Sequence, residues 1–568
     1  LDAAKGWVGR NQVNIAYFGD SAPPSTIEAA MAMIGNPSRV GVDVETISLA
    51  DRTPLGFSIA SRIGESFYLP LYPEPSIPAR IIIDRIIRNP SVTKVYQNFL
   101  GFDSEALRDY SPDSTNIHDT LVKAILCGLT STPSEYADSD DEGELNEWTS
   151  NDLTTLAAFT NCPIHFPTAK NLMQAQNVKT MDQLPQEKVA EMCCQHAQAT
   201  IHIDNALEGK VNEAYYNSEM ELIPTLIKMS NRGILLDQAI RADVQAELEE
   251  EVEYFKQLCE PFGFNPGSPQ QVGYILGTRN NFLPTKYNWK TKKRSYTTNK
   301  FALKKCDDPL AAIVLKYRAT QKLLGTYIRP WDMSTRAYTH FHMEAGTGRV
   351  SSTRRNLQNI PKGRCRNMFL PDTGMFTDID YEQIELRVLA YLSQDAMMLA
   401  AFREGIDIHQ MTSDFLHVPR DLGKKMNFAV VYGATPETVA EQASVSLPMA
   451  ADLIRNWFEN YDGAARWITD RQIEAKSTGR VHSLMGRTYY LPTNESPDAL
   501  ARKGVNYPVQ GSAAEILKCA IRRCAKLNMV LIVHDEILFD GDIMLPDGLD
   551  QLSPVLTPFK MSQMERWN

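Results

Sequence analysis

Nine cysteines are scattered over 568 residues without one C-x-x-C, so neither a disulfide framework nor a cysteine zinc site is expected. The adjacent Cys193 and Cys194 read as small buried hydrophobes. The ten histidines include no H-E-x-x-H; His340 and His342 share one face of YTHFHME, without a third partner. No apolar run reaches the roughly 18 residues that a bilayer span requires. The opening LDAAKGWVGR lacks the basic-then-apolar pattern of a secretory signal, and its start at Leu1 rather than Met reads as trimming. There is no 20–50-residue repeat, which excludes a solenoid. With 43% hydrophobic and 22% charged residues, the chain reads as globular and soluble, of two to four domains, in a reducing, cytoplasmic compartment.

Positive charge is also short overall, at 58 Lys plus Arg against 69 Asp plus Glu, a net of −11. That average argues against a nucleic-acid partner, but its distribution does not. Residues 1–207 hold 14 basic and 26 acidic residues, and residues 208–568 hold 44 and 43. Within the second part, positions 286–371 carry 19 basic and 4 acidic residues. There KYNWKTKKRSYTTNKFALKK and RVSSTRRNLQNIPKGRCRN mix cations with Tyr, Trp, Asn, Gln and Thr, which suits phosphate contact plus stacking or hydrogen bonding. The acidic stretch 135–147 reads as a surface insert.

The first third alternates short β-rich runs (VNIAYFG, RVGVDVET, LGFSIA, SFYLPL) with helical segments such as ARIIIDRIIR. A helical linker is expected from about Gln186 to Glu221, then a mainly helical region to about Tyr327. Strands return after Ala337, helices fill 384–473, and strands are expected near 481–491 and 529–539.

The segment GMFTDIDYEQIELRVLAYLSQD ends an alternating run at Asp380 and passes into a helix with Ile384, Val388 and Leu392 four apart. Asp380 is thereby placed at a strand end facing a cleft, although an N-capping Asp would look the same. In LNMVLIVHDEILFD two apolar runs flank His534, Asp535 and Glu536, as in a β-hairpin with charges at its turn. Two strand-borne aspartates make a pair of Mg²⁺ ligands, able to hold two metals about 4 Å apart for phosphoryl transfer. Between them, PRDLGKKMNFAVVYGAT places Arg420, Lys424, Phe428 and Tyr432 every four residues along one helix stripe, Pro419 at its start and Gly433 past its end. Its basic end can hold a triphosphate while its aromatic end stacks on a base.

These segments resemble the family A DNA polymerases, the group of bacterial DNA polymerase I. DYEQIELR resembles the family's motif A, RDLGKKMNFAVVYG its motif B and VHDE its motif C, with TGRVSSTRRNLQNIP before them and GRTYYLPTNESPDALARKGVNYPVQGSAAEILK before motif C. All occur in family order, over roughly 220–540. The resemblance implies that Asp380 and Asp535 hold the catalytic metals with the Tyr381 carbonyl. It implies further that Arg420, Lys424 and His409 contact the nucleotide phosphates and that Phe428 and Tyr432 shape the pocket of the nascent pair. Glu385 would be the gate against a ribose 2′-hydroxyl. Arg349, Asn356, Gln358, Arg487, Asn506, Gln510 and His534 would touch primer–template DNA, whose minor-groove acceptors are nearly sequence-independent. The implied fold is α/β plus α+β: an RNase H-like 3′–5′ exonuclease domain (1–207), then a right-hand polymerase (208–568). Its thumb would span about 222–336, its palm about 337–400 and 481–568, and its fingers about 401–480. Expected partners are dNTPs, primer–template DNA and processivity or replisome factors, with no membrane, for a monomer.

In the first third, Asp43 and Glu45 alternate on one strand face, and Asn98, Asp103 and Asp119 follow. The order resembles the family's proofreading exonuclease, which implies two further Mg²⁺ ions there, besides two in the polymerase site. The third exonuclease motif departs: MCCQHAQAT has Met192 where the family has Tyr and His196 where it has Asp. Imidazole is a poorer Mg²⁺ ligand than carboxylate, so a weak, altered or lost exonuclease is expected. Glu382 stands where bacterial members have Ser. Several loops are shorter than usual, as if segments were omitted, and no 5′-nuclease region is present, which reads as a phage or organelle type. Two alternatives compete: a single-subunit RNA polymerase, disfavoured by a bulky Glu385, and a non-catalytic DNA-binding relative, disfavoured by the intact Asp380, Asp535, Arg420 and Lys424.

Overall fold

The computed structural model describes residues 7–8, 14–17, 28, 31–32, 35, 37–75, 77–110, 115–129, 152–280, 285–288, 293–492 and 495–567. The acidic insert expected at 135–147 and positions 289–292 of the basic run lie outside them.

Strands β1 (Trp7–Val8), β2 (Asn14–Tyr17), β3 (Arg39–Thr46), β4 (Pro54–Arg62), β5 (Glu65–Pro70), β6 (Thr93–Tyr96) and β7 (Ile117–Asp119) form one sheet, ordered β1-β2-β5-β4-β3-β6-β7. β3, β4 and β5 are antiparallel neighbours, whereas β3, β6 and β7 run parallel. The run RVGVDVET is buried at nearly every position because β3 is central and covered. Its cover is helix α1 (Gln186–Ala206), which packs across β3, β4 and β5. The stretch expected as a linker is therefore mostly a packing element of the N-terminal sheet. Its apolar residues (Val189, Ala190, Ala197, Ile201) meet the sheet, and only the short helix Glu213–Met220 follows before the C-terminal part.

β3 and α1 approach too closely for any side chain at Gly41. A Cβ there would lie 2.3 Å from the Ala197 carbonyl oxygen and 3.0 Å from the Ile201 Cβ. Gly41→Ala is expected to cost about 1–3 kcal/mol through forced separation of helix and sheet. A chemical denaturation curve followed through the N-terminal domain should show an unfolding midpoint below that of the unsubstituted chain.

Residues 222–336 are mainly helical, with the long helices Gln238–Cys259 and Pro309–Lys322 packed together and a hairpin pairing Thr285–Asn288 with Lys293–Tyr296. Beyond them, β8 (Phe376–Tyr381), β9 (Met529–Val533), β10 (Glu536–Asp540) and β11 (Phe559–Met564) form an antiparallel sheet ordered β9-β10-β8-β11. Helix α2 (Ile384–Ser393) leaves β8 directly, α3 (Arg420–Val431) belongs to a helical layer over 396–478, and the 27-residue α4 (Pro497–Arg523) packs against α2. Among the described residues, no helix is long and apolar enough to cross a membrane.

Candidate functional site

Strand alternation sets the acids. In β8, Asp378 and Asp380 share one face, and Asp380 pairs across the sheet with Glu536 on one side and Lys560 on the other. Asp380 is exposed at the strand end; it is not a helix cap, since the capping position of α2 is Gln383, at φ 54°. Asp535 occupies the turn between β9 and β10 beside His534, and its carbonyl accepts the Tyr381 N–H at 3.2 Å. Burial, with Asp380 adding to it, raises the Asp535 carboxyl to about 6. The Tyr381 ring is buried and donates its hydroxyl to the Leu549 carbonyl at 2.9 Å, so its main chain is what adjoins the acids.

Asp378 went unread in the sequence, although D-x-D on a strand was the available signal. Its Oδ1 is buried without a hydrogen-bond partner, and burial, then Glu536 and Asp380, push its carboxyl up to about 8. Glu536 is not free for a cleft role. It accepts the Trp567 indole N–H at 3.1 Å and lies 3.6 Å from the Arg366 guanidinium, which itself covers the Trp567 ring at 4.1 Å. Trp567 is fully buried, so Trp567→Ala is expected to cost about 3–5 kcal/mol. Thermal unfolding checks this; an unchanged midpoint would show that the Trp567–Arg366–Glu536 stack is not a support of the sheet.

A cleft of about 1410 Å³ gathers residues from separated segments. Asp535 and His534 enter from the β9–β10 turn, and Arg349, Asn356 and Gln358 from the segment before β8. Glu385 comes from α2, Lys424, Phe428 and Tyr432 from α3, and Asn506 and Gln510 from α4. Helix α3 starts after Pro419, which is the capping residue rather than the first helical one, and stops where Gly433 takes φ 66°. Phe428 and Tyr432 stack with centroids 6.1 Å apart. The Tyr432 hydroxyl donates to Glu385 at 2.8 Å, and Arg349 pairs with the other Glu385 oxygen. Burial and that carboxylate raise the Tyr432 hydroxyl, so it stays a neutral donor.

Three residues expected at ligands lie elsewhere. Arg420 is not among the cleft lining; its Nη2 and Nε reach Asp407 at 2.7 and 2.8 Å. His409 is buried behind α3 with its Nδ1 3.0 Å from the Asn427 amide, and burial lowers it to about 4, so it is neutral near pH 7. Asn427 in turn accepts from the Trp457 indole at 2.8 Å and the Thr412 hydroxyl at 3.0 Å, which locks α3 to its neighbours. Arg487 is 5% exposed, lies over the Tyr489 ring at 4.6 Å and sits near Tyr215, Glu219 and Glu515 rather than in the cleft. Periodicity gives no sign of such burial, because an arginine inside a polar cluster looks like a surface one in sequence.

A second groove of about 1300 Å³ joins the cleft through Asn356 and Asn359. Lys300, Lys304, Lys316, Lys322 and Arg355 line it, together with Tyr327 and Trp331, so the basic stretch seen in sequence faces a continuous channel.

In the N-terminal domain, one ligand atom each from Asp43, Glu45 and His196 lie within 4.8 Å of one another. Burial raises Glu45 to about 7. Burial alone would lower His196, but Asp43 and Glu45 outweigh it and lift it to about 10. Asp103 is buried beside these acids, and burial, then Asp43, push its carboxyl well up. Asp119 is committed otherwise: its carboxylate accepts four backbone N–H groups, from Asn98, Phe99, Leu121 and Val122. Met192 is buried in an apolar cluster with Leu55 and Cys194.

Comparison with known proteins places these features. The sequence model described as DNA polymerase family A matches residues 236–553. The DNA polymerase I of Pseudomonas aeruginosa is 28% identical over 560 residues, covering 88% of this chain and 59% of its own length. The thermostable DNA polymerase I of Thermus thermophilus is 32% identical over 364 residues, covering 58% of this chain and 44% of its own. The chain thus spans about half the length of the curated relatives it matches. The solved structure titled "POL domain of Pol1 from M. smegmatis complex with DNA primer-template and dNTP" superposes with a TM-score of 0.74 at 23% identity, over 96% of this chain and 98% of that one. That likeness is one of fold.

Proposed function

The chain belongs to DNA polymerase family A, and from that premise we propose that it is a template-directed DNA polymerase adding dNTPs to a primer 3′-hydroxyl. The observation that carries the reading is the convergence of Asp535, Glu385, Lys424, Phe428, Tyr432 and Gln510 on one cleft. Those residues come from four segments that sequence proximity does not join.

Two divalent cations suit the acid pair. Asp535 is a desolvated carboxylate facing a second one, Asp380, and hard oxygen donors of this kind select Mg²⁺. Asp380, Asp535 and the Tyr381 carbonyl would hold the ions, which when bound activate the attacking hydroxyl and neutralise phosphate charge. The protein's own groups do the rest. Lys424 puts a cation on the incoming triphosphate, and the Phe428–Tyr432 stack gives the new base pair a flat wall. Asn356, Asn506 and Gln510 offer amides to the duplex, and the second basic groove takes the backbone upstream. Arg420 can reach a phosphate by exchanging Asp407 for it, since the pair is exposed and worth little. His409 acts by orienting α3, and Arg487 by supporting Gly348, whose Cβ position lies 2.3 Å from its Nη1.

In this reading 222–336 is the thumb, 337–400 with 481–568 the palm, and 401–480 the fingers. The N-terminal sheet with α1 is an RNase H-like exonuclease domain, whose Asp43, Glu45 and Asp103 remain but whose fourth acid is His196. Mg²⁺-dependent removal of a mismatched 3′ end should accordingly be weak. Primer extension on a defined template, with dNTPs and with rNTPs, tests the main reading; absence of templated extension would sink it.

A further inference from the structure

The trio Asp43, Glu45 and His196 has geometry of its own, independent of the polymerase reading. His196 Nδ1 lies 3.5 Å from Asp43 Oδ2 and 3.4 Å from Glu45 Oε1. Charge-assisted N–H···O bonds are shorter, about 2.7–2.9 Å. The edge of a tetrahedron around an ion with ligands at about 2.0–2.1 Å is about 3.3–3.4 Å. The observed separations match the second figure.

Two further observations point to a cation. Asp43 Oδ2 is buried and has no hydrogen-bond partner. His196 Nε2 lies 3.3 Å from the Pro167 carbonyl oxygen, which can only accept, so Nε2 carries the hydrogen and the Nδ1 lone pair is the one available inside the trio. Metal-bound histidines are held in this way, with the remote nitrogen on a backbone carbonyl. The ring is further fixed edge-on against Phe166, centroids 4.9 Å apart.

We propose that Asp43, Glu45 and His196 form a single-ion site for a borderline divalent transition metal, of the Zn²⁺ class, in preference to Mg²⁺. One imidazole and two carboxylates form a mixed N,O set that such ions take readily, whereas Mg²⁺ seeks near-octahedral oxygen. Asp43 and Glu45 come from β3 and His196 from α1, so the ion staples the helix to the sheet at the junction that Gly41 keeps close. A fourth position stays open to water.

The test uses the full chain with Mg²⁺ in large excess, so that Asp380 and Asp535 are occupied, and Zn²⁺ or Co²⁺ as the probe. The expected result is one tightly held ion per chain, a visible Co²⁺ absorption of tetrahedral intensity, and a Zn²⁺-raised unfolding midpoint. His196→Ala should weaken Zn²⁺ binding by at least about 100-fold, more than loss of an outer-shell partner costs. His196→Asp should keep the fold and shift the preference to Mg²⁺. Zn²⁺ uptake that is absent in the unsubstituted chain, or equal in His196→Ala, overturns the proposal and leaves the imidazolium itself as counter-charge to the acids. Nuclease activity in His196→Asp is a separate readout. Its absence alongside intact Zn²⁺ binding in the parent would sink the exonuclease reading alone.

Discussion

Asp535→Ala is expected to lower the rate of primer extension by at least about 10³-fold while the chain stays folded, since a metal clamp on a transferring phosphoryl group supplies several kcal/mol. The site explains both halves of that outcome. Asp535 projects from a hairpin turn, and its own backbone carbonyl, not its side chain, accepts the Tyr381 N–H that ties the turn to β8. Its carboxyl is strained by burial and by Asp380, so truncation removes a repulsion and should leave stability unchanged or slightly raised. Glu536, one residue on, makes the opposite case. It is held by Trp567 and Arg366, and Glu536→Gln should lower the unfolding midpoint while retaining most extension activity. Rapid-quench extension and thermal melts of the two variants separate these effects. Near-parental extension by Asp535→Ala would remove the nucleotidyl-transfer reading, and with it the assignment of Asp380.

How much of this was legible beforehand follows from what a local pattern can encode. The alternating run into Asp380 and the two apolar runs around His534–Glu536 specify strand, turn and face, and the sheet has β8 beside β10 with Asp380 opposite Glu536. The four-residue stripe of α3 likewise puts Lys424, Phe428 and Tyr432 on one wall. Depth is the property such patterns omit. His409 and Arg487 are polar in sequence yet buried, because their partners, Asn427 in one case and the Tyr489 ring in the other, lie 18 residues and two residues away on packed elements. The role of α1 was misread for a related reason. A long helix of mixed polarity reads as a linker until a glycine in another segment, Gly41, reveals how near the sheet it must lie. Trp567 and Asp378 show the remaining limit. One is tied to Glu536 from 31 residues away, and the other is hidden behind a more conspicuous neighbour.

Glu385→Ala is expected to raise ribonucleotide incorporation relative to deoxyribonucleotide by about 10–200-fold, the range over which a pocket discriminates small steric differences. Glu385 can act as a gate only if its carboxylate is held still, and the structure provides two holders. Tyr432 donates to one oxygen at 2.8 Å and Arg349 pairs with the other, so the side chain is fixed between α3 and the segment before β8. A ribose 2′-hydroxyl entering beside the Phe428–Tyr432 stack would have to displace a desolvated, doubly bonded carboxylate, which is costly. Removing the side chain opens that space but also leaves Tyr432 and Arg349 without partners. The rate with dNTPs should therefore fall several-fold even as selectivity relaxes. Glu385→Gln keeps the bulk and one hydrogen bond, so it should retain most discrimination while weakening the Arg349 pair. Tyr432→Phe should loosen the same carboxylate from the opposite side, with a smaller change in the same direction. Single-nucleotide insertion kinetics with each dNTP and its ribo counterpart measure the ratio directly. An unchanged ratio in Glu385→Ala would show that sugar selection resides elsewhere in the cleft. A ratio that favours rNTPs in the unsubstituted chain would instead support an RNA-synthesising enzyme on the same fold.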